Sequence, residues 1–300
     1  MQTASSLTFD TDLGSDVDDV LALATILGSP ELDLSAITTV YGDTLVRARM
    51  AARVATVAGR SIDPIVPGRT ETRSGRPVWW AGHEGALLPD LDRETVATDS
   101  DPIGVLAASP TVVAVGPLTN VAEAVERPGH QIEQLCVMGG DFLSADPEHN
   151  IKCDVDAAAV VFGSGVPATV IGIDQTSRLR LGGAVVAELE AAGSLGQLLG
   201  AEMRQFWSFS ASDSNVPHDP AAVLMLTDPD LFTFATGRIE VDGDGITPFT
   251  PGDGPHRIVA DLDAEAVAQR IVDRILVACA GSPTQVINGG GRSSGRDLLA

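Results

Sequence analysis

The stretch Asp10-Thr11-Asp12-Leu13-Gly14-Ser15-Asp16-Val17-Asp18-Asp19 decides how this chain is read. It follows the β-prone run LTF and precedes VLALATIL, a run of helical period, so it is a strand-to-helix junction. Open parallel sheets bind their ligands at such junctions, beyond the carboxyl ends of the strands. Five of its ten residues are aspartates. One or two acids at a helix N-terminus cap free N–H groups and gain from the helix dipole, but five clustered like charges repel one another unless a cation neutralises them. An all-oxygen donor set with no neighbouring Cys or His favours a hard cation, Ca²⁺ or Mg²⁺, over zinc. An EF-hand loop is excluded, because its sixth and twelfth positions, counted from Asp10, hold Ser15 and Leu21 where Gly and Glu are required.

Outward from this junction, short apolar runs alternate with longer stretches of helical period. Strand candidates lie at 7–10, 34–40, 111–115, 135–138 and 168–173, and helical candidates at 17–27, 45–58, 119–126, 154–162, 219–226 and 264–280. That alternation predicts an α/β fold with a mainly parallel, Rossmann-like sheet flanked by helices. A length of 300 residues with 44% apolar content fits a single domain, here taken as 1–288. Residues 232–259, with DGDG and TPGDG between β-prone pieces, read as a hairpin excursion and not a separate domain. The Gly- and Ser-rich tail at 289–300 reads as disordered. The last helix is amphipathic and is expected to pack on the sheet.

A net charge of −22 repels phosphate backbones and anionic lipid, so neither a nucleic-acid polymer nor a membrane is expected as a partner. Lys152 is the only lysine, and no Gly-rich loop cradles phosphate, which argues against tight nucleoside triphosphate binding. Cys136, Cys153 and Cys279 are widely spaced, as suits free thiols in a reducing compartment. The opening MQTASSLTFD has no basic and then apolar leader, and no apolar run reaches membrane-spanning length. A cytoplasmic protein is expected.

Two families resemble the acidic motif. FDTDLG is similar to the strand-end DxD of haloacid-dehalogenase-type phosphohydrolases, in which Asp10 would be the nucleophile and Asp12 the acid/base with Mg²⁺ between them. Gly14 departs from that pattern. DTDLGSDVDD followed by VLAL resembles the aspartate signature of the inosine-uridine-preferring nucleoside hydrolases. Further blocks stand in that family's order: ITTVYGD (37–43), VAVGPLTNVA (113–122), VMGG through EHNIKCDVDAA (137–158) and VPHDPAAV (216–223). Together they span about residues 7–232.

This second resemblance implies calcium-dependent hydrolysis of ribonucleosides to ribose and free base. Asp12 would bind the metal and act as general base on its water. Asp19, the Val115 carbonyl and Asp219 would complete the ligands. Asp18 and Asp43 would hold ribose hydroxyls, with Glu148 and Asn150 gripping the rest of the sugar. His218 would protonate or contact the leaving base, and the family's dimers and tetramers imply a homo-oligomer. A carboxylate-lined pocket suits the oxocarbenium-like charge that develops on ribose. By the same token the site is expected to prefer neutral nucleosides, a 5′-phosphate finding carboxylates and no cationic clamp. A catalytically silent metal- or nucleoside-binding protein is a third reading.

Two departures stand out. Ser15, Asp16 and Val17 replace the family's commoner single residue, leaving open whether Asp16 joins the metal, and Asp43 occupies a position where many relatives carry Asn. Trp79, Trp80, Phe142, Phe206 and Trp207 are candidates to wall a base pocket, with core packing the alternative for each. His83 is placed near the base or on the surface, and His130, His149 and His256 carry no assignment. Alone, Thr119 and Asn120 read as a helix cap. Purine or pyrimidine preference is not encoded in these motifs.

Overall fold

The computed structural model describes residues 5–281, so the tail expected to be disordered lies outside the described residues. Its strands are β1 (Ser5–Thr11), β2 (Leu32–Thr39), β3 (Ile65–Pro67), β4 (Thr111–Ala114), β5 (Gln134–Met138), β6 (Ala168–Ile171), β7 (Leu181–Gly182), β8 (Ser214–Asn215), β9 (Phe232–Ile239), β10 (Phe249–Pro251) and β11 (His256–Leu262). The helices are α1 (Asp18–Leu27), α2 (Thr44–Val57), α3 (Pro102–Ala107), α4 (Thr119–Glu126), α5 (His149–Cys153), α6 (Val155–Gly163), α7 (Ile173–Thr176), α8 (Gly183–Ala191), α9 (Ser194–Ser210), α10 (His218–Thr227) and α11 (Ala264–Ala280).

Nine strands form one sheet in the order β10-β9-β11-β6-β5-β4-β1-β2-β3, with β7 and β8 a separate short ribbon. Pairing is parallel from β3 across to β11, and only the β11–β9 and β9–β10 pairings, at one edge, are antiparallel. The expected mainly parallel sheet is therefore present. The 232–259 region extends this same sheet, and its DGDG turn is held by Asp242, whose Oδ1 accepts from the N–H groups of Asp244, Gly245 and Ile246, each at 2.9 Å.

Side-chain alternation along the central strands explains the layering. On β4 and β5, Val113, Cys136 and Met138 face the core shared with α1, α2 and α8 to α11, while Val112, Leu135 and Val137 face the one shared with α3, α4 and α6. The expected strand at 168–173 stops at Ile171, because the chain turns at Gly172 into α7. Sequence periodicity gave no sign of β3, α3, α7, α8 or α9. Among the described residues no helix is long and apolar enough to cross a membrane.

Connections run outward from β1 through β2 to β3 in one direction and from β4 through β5 to β6 in the other. The crevice between the carboxyl ends of β1 and β4 is thus the topological switch point, where such sheets bind ligands. Thr119 and Asn120 of GPLTN brace that crevice and do not cap α4. Asn120 Nδ2 donates to Asp10 Oδ1 at 2.8 Å and to the Thr39 carbonyl at 3.0 Å, while its Oδ1 accepts from Arg69 N at 2.9 Å. Thr38 adds a 2.6 Å bond to the same Asp10 oxygen, and Thr119 donates to Asp154. Gly68 is needed here, since a Cβ would come within 2.4 Å of Asn120 and of the Thr39 carbonyl.

Replacing Asn120 with Ala strands buried polar groups on β1 and β2 together. Asn120→Ala should therefore lose about 2–4 kcal/mol of stability, measurable by urea denaturation. A loss below about 0.5 kcal/mol, the size of an ordinary surface substitution, would show that this brace is unimportant.

Candidate active site

The acidic motif leaves β1 as a tight loop. Gly14 sits at φ +122° with the Met50 sulfur 2.9 Å from where a Cβ would be, so no side chain fits. The loop is held by Arg47 of α2, which is wholly buried. Its Nε donates to the Tyr41 carbonyl at 2.7 Å, its Nη1 to the carbonyls of Asp12 and of Leu13 (3.0 Å), and its Nη2 to Ser15 Oγ at 3.2 Å. The Trp80 ring covers the guanidinium at 4.8 Å. Sequence reading missed Arg47, although it lies on the same stripe of α2 as buried Thr44, Ala48, Met50 and Ala51. A lone arginine on an apolar stripe is a signal of internal bracing.

Asp18 and Asp19 open α1, and Asp219 lies in the first turn of α10, which packs against α1. One carboxylate oxygen from each comes within 4.8 Å of the others. Burial pushes all three well above the usual carboxylate range, and neighbouring aspartates push further in the same direction. Thr11 Oγ1 donates to Asp19 and partly offsets this. Asp12 is also raised by burial, against the pull of Arg47 and His149. Asp16 is raised to about 6, chiefly by burial. A group of buried acids held this close has the donors to hold a metal ion.

These residues floor a cavity of about 680 Å³ that is also lined by Val115, Glu148, Asn150 and His218. The fold thus brings to one place nine residues singled out from the sequence: Asp12, Asp16, Asp18, Asp19, Val115, Glu148, Asn150, His218 and Asp219. Asp18 joins Asp19 and Asp219 in the metal-capable trio, and Asp12 lies beside it on the cavity wall. Asn150 bridges two strand ends, its Nδ2 donating to the carbonyls of Val115 at 2.7 Å and Met138 at 3.3 Å. Glu148 caps α5, accepting from the N–H groups of Gly140, Asn150 and Ile151.

One expectation needs correction, and one alternative reading falls. Asp43 does not line the cavity; it is exposed and caps α2 by accepting from Val46 N at 3.0 Å. A short polar residue before a helix has this local use, and the loop after β2 turns its side chain away from the crevice. Asp10 is fully buried within the sheet, bound to Thr38 and Asn120, and also absent from the cavity. It cannot meet a substrate as a nucleophile, which removes the phosphohydrolase reading.

His218 Nδ1 lies 2.6 Å from Thr176 Oγ1, and burial, with Arg180 nearby, pushes the ring down to about 4, so it is a neutral imidazole. Of the candidate aromatics, Trp79 and Phe206 reach the cavity, joined by Phe209, which the sequence reading passed over. Trp80 covers Arg47, Trp207 donates to Asn215, and Phe142 packs near Phe249. His83 contacts the Ser15 carbonyl at 3.0 Å and has its ring 4.8 Å from Phe209. His149, left unassigned, is exposed at the cavity and meets Trp79 edge-on at 5.9 Å.

Known proteins share this arrangement. The family described as inosine-uridine preferring nucleoside hydrolase matches residues 7–269. The chain is 32% identical to the non-specific ribonucleoside hydrolase RihC of Klebsiella pneumoniae, over 88% of this chain and 92% of that protein. It is 29% identical to uridine nucleosidase 1 of Arabidopsis thaliana, over 80% and 79% of the two chains. Among solved structures, a plant nucleoside hydrolase, PpNRh1, superposes with a TM-score of 0.80 at 29% identity, covering 91% of this chain and 99% of the other. With the switch-point cavity, the acidic trio and the ordered motifs in agreement, the chain belongs to the inosine-uridine preferring nucleoside hydrolase family, enzymes that hydrolyse nucleosides to ribose and free base.

Proposed function

We propose that this enzyme is calcium-dependent, with Asp12, Asp19, Asp219 and the Val115 carbonyl as ligands and Asp12 as general base. The observation that carries this reading is the group of buried, mutually repelling carboxylates at the switch point. Oxygen-only donors without Cys or His suit a hard cation, and the nearby Arg47 and His149 only partly offset the burial of these acids, which leaves them in need of one. When bound, such an ion neutralises the acids and lowers the pKa of a water. Asp12 then takes the proton from the attacking water.

Asp18 holds a ribose hydroxyl, and Glu148 and Asn150 orient the rest of the sugar. Negative charge around the ring stabilises the oxocarbenium character that builds as the base departs. The base lies against Trp79, Phe206 and Phe209, whose faces stack on heterocycles. His218, neutral at rest, hydrogen-bonds the leaving base as negative charge grows on it, a role open to a neutral imidazole. A cytoplasmic location, in keeping with three buried free thiols, and a dimeric or tetrameric assembly complete the proposal.

The direct test is a reducing-sugar assay over purine and pyrimidine nucleosides with added calcium. Ribose release from at least one is expected; nucleoside uptake without any release would mark a silent binding protein and refute the reading.

Asp12→Asn keeps shape but cannot accept the proton. The rate should fall by about two to four orders of magnitude, and excess calcium should restore metal occupancy without restoring turnover. Asp10→Asn should lose less, because Asp10 supports the sheet and not the reaction. Near-normal activity in Asp12→Asn would refute the assignment of the base.

His218→Ala should impair hydrolysis of natural nucleosides more than that of a nitrophenyl riboside, whose leaving group needs no help from a donor. Equal losses on the two substrates would remove His218 from leaving-group activation.

A further inference from the structure

Tyr41 stands where a residue of its size is seldom found. Its φ of +68° is left-handed, a region that Gly or Asn enters more readily than a bulky side chain does. Such a conformation persists only when the surroundings over-determine it, and here the backbone is held on both sides. The Tyr41 N–H donates to the Arg69 carbonyl at 2.8 Å and the Gly42 N–H to the Thr70 carbonyl at 2.9 Å, while the Tyr41 carbonyl accepts from Arg47 Nε at 2.7 Å. The side chain placed in this way is buried, packs with Val40, Cys153 and Val78, and lines the cavity.

Its hydroxyl holds the segment that carries Trp79. The Trp79 N–H donates to Tyr41 Oη at 2.7 Å and the Cys153 thiol donates to it at 3.3 Å, while the Pro77 carbonyl faces the hydroxyl at 3.5 Å. Residues 77–80 lie in neither strand nor helix, and among the described residues no other hydrogen bond reaches their backbone. Packing does not fix Trp79 in its place. It is 47% exposed and meets His149 and Phe209 only at ring-centroid distances of 5.9 and 6.3 Å.

Resting on the base placement proposed above, we infer that Tyr41 is a positioning residue for the nucleobase, setting through the Trp79 N–H the face against which the base stacks. The hydroxyl already accepts from two donors and faces a carbonyl, so it is engaged with the protein and acts on the substrate through Trp79. At its other end Tyr41 shares Arg47 with the carbonyls of Asp12 and Leu13. One residue thus ties the base wall to the acidic loop, which sets the base at a fixed distance from the floor that holds ribose.

The test compares Tyr41→Phe, Trp79→Ala and the double variant in the full-length protein with calcium, with uridine or inosine as substrate and ribose as competitive inhibitor. A nucleoside spans floor and wall, whereas ribose reports on the floor alone. Stacking stabilises ground state and transition state alike, so its loss raises KM and leaves kcat largely unchanged. Trp79→Ala should raise KM about tenfold or more and Tyr41→Phe about five- to tenfold, with kcat and the ribose inhibition constant within about threefold of the unaltered enzyme. Because Tyr41 acts through Trp79, the double variant should be within about twofold of Trp79→Ala. In the unaltered protein the Trp79 amide should exchange its hydrogen more slowly than those of Val78 and Trp80. An unchanged KM in Tyr41→Phe, a ribose constant that worsens as much as KM, losses that multiply in the double variant, or an unprotected Trp79 amide would each overturn the inference. A rise in KM for Trp79→Ala without one for Tyr41→Phe sinks the inference alone; no rise for Trp79→Ala removes the base placement and the inference with it.

Discussion

Everything in this molecule is arranged around the burial of like charges. Asp12, Asp18, Asp19 and Asp219 are each less than a tenth exposed and share one cavity floor. Burying even one unpaired carboxylate is costly, and four together raise one another's affinity for protons. An arrangement so unfavourable in the free chain persists only when the surrounding structure imposes it. Here the imposition comes from a mainly parallel sheet whose connections diverge at β1 and β4, from two helices with acids in their first turns, and from Arg47 clamping the loop between β1 and α1.

Arg47 and the Asp10–Asn120 brace play complementary parts. The guanidinium gathers backbone carbonyls of the acidic loop and lowers the cost of charge on Asp12. The brace ties β1 to β2 and α4 just beneath that loop, which fixes the height of the cavity floor. Neither group touches the cavity. Together they show how polar groups outside the reaction centre keep repelling groups in register.

The fold class and the acidic floor were legible from the sequence because both have local signatures: alternating strand and helix periods, and aspartates crowded at one junction. What stayed hidden depends on long-range contact. Asp43 carries the same chemistry as a sugar ligand, yet the loop after β2 turns it outward into a helix cap. Trp79 and Trp80 are neighbours with different uses, one on the cavity and one over Arg47, a division that adjacency in sequence does not announce. Phe209 and Arg76 are brought to the cavity from parts of the chain remote from the acidic motif, and nothing in their spacing announces it.

The central claim, that these buried acids are a cation site, is tested most directly by calorimetric calcium titration of the full-length protein across pH. Carboxylates whose pKa is raised must give up protons to bind an ion, so protons compete with calcium. The account predicts one ion per chain, proton release on binding, and an affinity that falls as pH is lowered through the raised values. Absence of calcium binding to the folded protein at mildly alkaline pH, or binding with no proton release at any pH, would contradict it.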